Sequence, residues 1–147
     1  MRNDQRGIEG LPLRLMLVAL LISLALPTMM SFLSTATSSM AEDKAAQLAE
    51  RIAATLEEMS AGGPGNVRTM GVPVELPANI RISLGGENGT ADSMRIRWYV
   101  DGREGIRYLE DVIVLTDGGK ALTVTAGDTL RLECSPGAWG TIKAVLV

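Results

Sequence analysis

The chain has 147 residues, a net charge of −3, one cysteine and no histidine. A single cysteine excludes an intramolecular disulfide, and the lack of histidine excludes histidine triads, histidine general bases and histidine metal ligands. No segment is basic enough for a nucleic-acid binder, so DNA or RNA is not an expected partner: three arginines face Asp4 and Glu9 up to Arg14, five acids face Lys44 and Arg51 in Glu42 to Ser60, and nine bases face ten acids in the remainder.

Residues 1–14, MRNDQRGIEGLPLR, form a short charged tail, read as a cytoplasmic tail or leader. From Leu15 to Ala41 there is no charged side chain. The richest part, Leu15 to Leu33, approaches the roughly 20 apolar residues that cross a bilayer. A transmembrane helix is therefore expected over residues 15–38, with membrane lipid as its partner. Arg2, Arg6 and Arg14 precede the span and no base follows until Lys44. That bias predicts a cytoplasmic N-terminus and a C-terminal domain outside the cytoplasm. Pro12 falls near the helix start, where a missing N–H is harmless. Pro27 lies deeper and predicts a kink or a loosened turn. A secretory signal is the competing reading, with cleavage after Ser39-Met40-Ala41 or Ser34-Thr35-Ala36. The uncharged run is much longer than the ~7–15 residues of a signal core, which favours retention.

Arg6-Gly7, a basic residue then glycine just ahead of a long apolar helix, resembles the class III signal of archaeal type IV pilin-like proteins. The resemblance implies cleavage between Gly7 and Ile8 by a prepilin peptidase on the cytoplasmic side, with the apolar helix kept on the mature protein. It also implies a β-rich head behind that helix, and a surface filament or homo-oligomer assembled by helix packing. A plain uncleaved anchor with an incidental Arg-Gly is the other reading.

Ser39-Met40-Ala41-Glu42 fits a capping box, with Ser39 as N-cap. Beyond it Ala41, Ala45, Leu48, Ala49, Ile52, Ala53, Leu56 and Met59 recur at steps of three and four, while charged and amide residues fill most other positions. This predicts an amphipathic neck helix over 39–61, stopped by Ser60-Ala61-Gly62-Gly63-Pro64-Gly65. Its Ala-rich stripe (Ala45, Leu48, Ala49, Ile52, Ala53, Leu56) packs either on the chain's own β-domain or on the same stripe of another copy. Its acidic outer face is expected to be solvated.

A Gly-rich hinge is expected over 62–71, and a β-sandwich over 72–147. Eight alternating stretches follow: Val72 to Leu76 (an edge strand, given Pro73 and Pro77), Ile80 to Leu84, Met94 to Val100, Gly105 to Leu109, Val112 to Leu115, Ala121 to Thr125, Thr129 to Cys134 and Thr141 to Val147. Turn sequences such as Asp101-Gly102 and Ala126-Gly127-Asp128 separate them. The fold class is thus α+β: a long N-terminal helix followed by a small antiparallel sandwich of about eight strands. With aromatics at only 3% of the chain, its core rests on Val, Ile, Leu and Met.

Cys134, in phase with Leu130 and Leu132, reads as a small buried strand residue. Arg81, Arg95, Arg97 and Arg131 share the phase opposite the apolar residues, which suggests one solvent face, paired with Glu75 and Glu133 across strands or open to an acidic ligand. Glu104, Glu110, Asp111, Asp117 and Asp128 show no calcium-loop spacing, and Asp117 and Asp128 read as turn formers. Neither a metal nor a cofactor is expected; the glycine pairs lack the lysine of a phosphate loop. Trp98 reads as packing, and Trp139, between glycines in a loop, as an exposed contact. Asn88-Gly89-Thr90 is a glycosylation sequon in an expected surface loop. These residues together predict a non-enzymatic surface protein. It is either a filament component or a stand-alone tethered module that recognises a cell-envelope ligand.

Overall fold

The computed structural model describes residues 6–87 and 90–147, with side chains described from Pro12 onward. It begins with one α-helix, α1 (Arg6–Ala61), followed by eight strands: β1 (Val67–Gly71), β2 (Ile80–Leu84), β3 (Arg95–Val100), β4 (Arg103–Tyr108), β5 (Ile113–Thr116), β6 (Leu122–Val124), β7 (Thr129–Cys134) and β8 (Thr141–Leu146). The chain divides into two units, residues 1–37 and 38–147.

Within the first unit, α1 passes through both Pro12 and Pro27 without a break in helical structure. The expected capping box at Ser39 is not an N-cap, because the residues before it are already helical. A cap is needed only where four backbone N–H groups begin a helix unpaired; nothing from Thr28 to Ser38 breaks the hydrogen-bond ladder. The helix does end where the glycines predict. Gly62 N–H donates to the carbonyl of Glu58 at 3.1 Å, and Gly63 takes a positive φ of 85°.

In the second unit the strands form two four-stranded sheets, one ordered β1-β7-β8-β5 and the other β4-β3-β2-β6. Seven of the eight expected strands start and stop within two residues of the observed ones, and β2 and β7 match outright. All pairings are antiparallel except β5 with β8, which is parallel. The chain leaves the first sheet after β5 to lay β6 on the second, and returns as β7 and β8. β8, paired with β7 on one side, runs beside β5 in the same direction on the other.

The first expected strand is misplaced. Residues 72–79 form two successive turns, in which Leu76 N–H reaches the carbonyl of Pro73 and Ile80 N–H that of Pro77. Two prolines deny that segment the donors a ladder needs. The strand lies instead at Val67–Gly71, inside the expected hinge, paired residue for residue with Glu133 to Thr129. Val67, Arg68 and Thr69 are all exposed, so β1 has no alternation to read.

The helix completes the core. Ala41, Ala45, Leu48, Ala49, Ile52, Ala53, Leu56 and Met59 are all buried, in one cluster with Ile82, Leu84, Ile96, Val112, Leu130, Leu132 and Ile142. Three alanines at four-residue spacing (Ala45, Ala49, Ala53) leave no side chain to hold the helix axis away from the sheets, while Leu48, Ile52 and Leu56 fill the space beside them. Trp98 packs against this core and lies opposite Gly105 across β3 and β4. A Cβ at Gly105 would run into the indole ring. Asp101 and Gly102 join β3 to β4 with φ of 49° and 81°, the left-handed pair of a tight hairpin.

Ile52 is fully buried between helix and sheets, so Ile52→Ala is expected to lower the unfolding free energy by about 2–5 kcal/mol in denaturant titration. Ala54→Ser, one helical position round onto the exposed side, is expected to stay within about 0.5 kcal/mol of the parent. Equal effects of the two would mean that the stripe is not buried.

Candidate functional site

Two surfaces of this chain are unusual: a seam where helix and head are pinned together, and an uncovered apolar helix. The seam follows from charge. Opposite the buried stripe, α1 carries Glu42, Glu50, Glu57 and Glu58. Strands β1 and β4 are edge strands of the two sheets, and each turns arginines towards the helix. Arg68 of β1 holds Glu58 with both guanidinium Nη atoms, at 2.7 and 2.6 Å. Arg107 of β4 spans two turns of helix, with Nε to Glu50 at 3.0 Å and Nη2 to Glu57 at 3.3 Å. Arg103 reaches Glu42 at 3.3 Å. The β3–β4 turn adds Asp101, which accepts from Ser38 Oγ at 3.1 Å and Asn79 Nδ2 at 2.7 Å.

The acidic helix face is therefore not simply solvated, as the sequence suggested. The paired arginines sit on strands far along the chain, so no local spacing in the neck announces them. The hint was the balance of charge: the neck carries an excess of three acids, and the strands supply bases in the helix-facing phase.

These pairs tune protonation as well as position. The Arg68 guanidinium, chiefly through its hydrogen bonds and then through its charge, lowers the Glu58 carboxyl pKa below its ordinary value. Glu58 raises that of Arg68 in return. Arg107 is raised chiefly by its bond to Glu50, against the opposing effect of burial. Arg68, Glu58 and Glu50 are exposed, where ion pairs contribute little stability each, while Arg107 and Glu57 are half-buried.

The expected arginine face is divided by the fold. Arg81, Arg95 and Arg97 lie on the outer side of β2 and β3, whereas Arg131 is on β7 of the other sheet. Arg95 pairs with Asp92, and Arg97 lies 3.1 Å from Asp92 and 3.7 Å from Glu104. Arg131 pairs with Glu133 two residues along its own strand rather than across strands, at 3.7 Å. Glu75 takes no ion-pair partner among the described residues.

The acidic residues also go separate ways. Asp117 pairs with Lys143 at 2.9 Å, and Asp128 closes a turn by accepting from Thr125 N at 2.7 Å. Among the described residues no group of three or more His, Cys, Asp or Glu is placed to hold a metal ion. Cys134 is buried, and its Sγ–H donates to the carbonyl of Met59 at 3.3 Å. Burial pushes that thiol up, away from the reactive thiolate. Trp139 is 76% exposed, with its ring about 3.5 Å from where a Cβ on Gly63 would stand. Asn88 lies outside the described residues. Gly7 and Ile8 lie within α1, at its first turn.

The second surface is the helix of the first unit. Fourteen large apolar side chains from Leu13 to Leu33 are each 51–75% exposed, on every side of the helix. This helix is long and apolar enough to cross a membrane, with a best-window mean hydropathy of 2.2. The stripe further along α1, Ala45 to Leu56, is by contrast occupied by the chain's own sheets. Comparison with family models, curated proteins and solved structures finds no match to this chain.

Because the folded Glu58 pKa lies below its unfolded value, its contribution is present above the ordinary carboxylate range and fades as pH falls through the folded value. Glu58→Gln is therefore expected to lower stability slightly near neutrality, where the pair is formed, and to match the parent near about pH 3. The variant's stability then falls less steeply between about pH 6 and about pH 3. Urea midpoints measured across that range check it; parallel curves for parent and variant would show that the pair is not formed.

Proposed function

We propose that this chain is a single-pass membrane protein with a cytoplasmic N-terminus and a β-sandwich head outside the cytoplasm. Its role is structural or adhesive rather than catalytic. The observation that carries the reading is the uncovered apolar helix from Leu13 to Leu33. A contiguous apolar surface of that extent is not left in water by a soluble monomer. Four of the hydroxyl groups between Ser23 and Thr37 are also hidden from an apolar surrounding. Ser23, Thr28, Thr35 and Thr37 donate to carbonyls three or four residues back, at 2.8–3.0 Å. A bilayer offers those groups no water, so bonding within the helix removes the cost. Arginine precedes the span and no base follows it until Lys44, which supports that orientation.

Within that class, we favour a pilin-like subunit or accessory component of a type IV filament. Support comes from the Arg6-Gly7 motif and from one helix that is apolar all round before it joins a β-rich head. Such a subunit assembles through residues 13–33, since the stripe from Ala45 to Leu56 is already buried. That burial also favours the second reading, a tethered module that acts alone on a cell-envelope ligand. A self-contained head needs no neighbour to cover it.

In alkaline carbonate extraction the full chain is expected to stay with the membrane pellet, and protease added to intact cells is expected to digest the head. Recovery in the soluble fraction would overturn the anchor. Mass spectrometry of the mature N-terminus is expected to begin at Ile8. An intact residue 1–7 segment would contradict the pilin reading and leave the tethered module.

A further inference from the structure

The seam ties down Glu42, Glu50, Glu57 and Glu58 of α1 and leaves two of its bases over. Lys44 and Arg51 are exposed, and among the described residues neither forms an ion pair. They stand seven residues apart, two helical turns or about 10 Å on one face, with Gln47 between them. The paired turns of residues 72–79 rise beside this row. Together they enclose an open groove of about 370 Å³, within the size range of small-ligand sites. Buried Leu48 and Leu76 supply its apolar lining, and Glu75 its only carboxylate.

We propose that this groove binds a phosphoglycerol group: a phosphodiester or phosphate carrying free hydroxyls. Lys44, Gln47 and Arg51 offer a row of N–H donors suited to phosphate oxygens. Glu75 accepts from hydroxyls on the same group, and the leucines take its C–H faces. Two cations against one carboxylate leave a net +1, which complements an anionic phosphodiester or phosphate better than a zwitterionic headgroup. The chemistry is shared by free glycerol phosphate and by an anionic lipid headgroup. Lys44 is the first base after the uncharged run that ends at Ala41, so the chain holds it within about 10 Å of that run's end. Only the lipid source rests on the membrane reading proposed above.

The chain has three lysines, Lys44, Lys120 and Lys143, so amine footprinting by acetylation and mass spectrometry reads the groove with two internal controls. The full chain is placed in phosphatidylcholine nanodiscs and titrated with glycerol 3-phosphate. In parallel it is placed in discs containing phosphatidylglycerol with nothing added. Acetylation of Lys44 is expected to slow at least threefold in one or both arms, with Lys120 and Lys143 unchanged. Protection by the free compound assigns a soluble source, and protection by the lipid alone assigns a headgroup. Arg51→Gln is expected to abolish the protection. Glu75→Gln is expected to erase the preference for glycerol phosphate over inorganic phosphate, and Arg81→Gln to change nothing. Uniform slowing of all three lysines, or no slowing of Lys44 in either arm, overturns the proposal. Failure of the chain to enter nanodiscs would instead count against the membrane anchor, and the glycerol phosphate arm remains readable on the same protein in detergent.

Discussion

The head depends on one face of one helix. Neither sheet buries its inner surface with the other sheet alone; the stripe from Ala41 to Met59 is part of the same core. Its adhesion is apolar. Burial of side chains such as Leu48, Ile52, Leu56 and Met59 stabilises by about 1.5–3 kcal/mol each, whereas ion pairs open to solvent, such as that of Arg68 with Glu58, contribute little. The arginines therefore do a different job. Placed on the edge strands β1 and β4, they fix which way round the helix lies. A rotation of one residue would move the glutamates out of reach and turn polar side chains into the core.

The same helix obeys a second rule nearer its start. Where no sheet covers it, apolar side chains run all the way round and the hydroxyls of Ser23, Thr28, Thr35 and Thr37 fold back on the backbone. Where the sheets cover it, one face is apolar and the rest charged. The change happens without a cap, a turn or a glycine, so a single continuous ladder meets two surroundings. A filament that used the stripe from Ala45 to Leu56 between copies would have to dismantle the head. The exposed large apolar side chains of α1 are those from Leu13 to Leu33 and Met40.

The architecture was largely legible in the sequence because its strongest patterns are physical necessities. The three-and-four stripe and the alternation in β2, β3 and β7 follow from burial, and the uncharged run is one helix long and apolar enough to cross a membrane. The failures have equally physical causes. Val72, Val74 and Leu76 alternate on paper, but prolines at 73 and 77 remove the donors, and Val74 is 81% exposed. β1 was invisible because its pairing is a backbone affair, with side chains exposed on both faces. The capping box at Ser39 is a real local preference overridden by the helix already running through it. The seam of arginines and glutamates, and the groove beside Lys44, join residues tens of positions apart, and no local window contains such partners.

The central claim is that the neck stripe is covered by the chain's own sheets. Hydrogen–deuterium exchange of the full chain in nanodiscs, repeated over a wide range of protein concentration, tests it directly. Amides from Ala45 to Met59 are expected to be as protected as those of β7 and β8, and equally so in discs holding a single copy. Protection that appears only when copies are brought together would contradict the account.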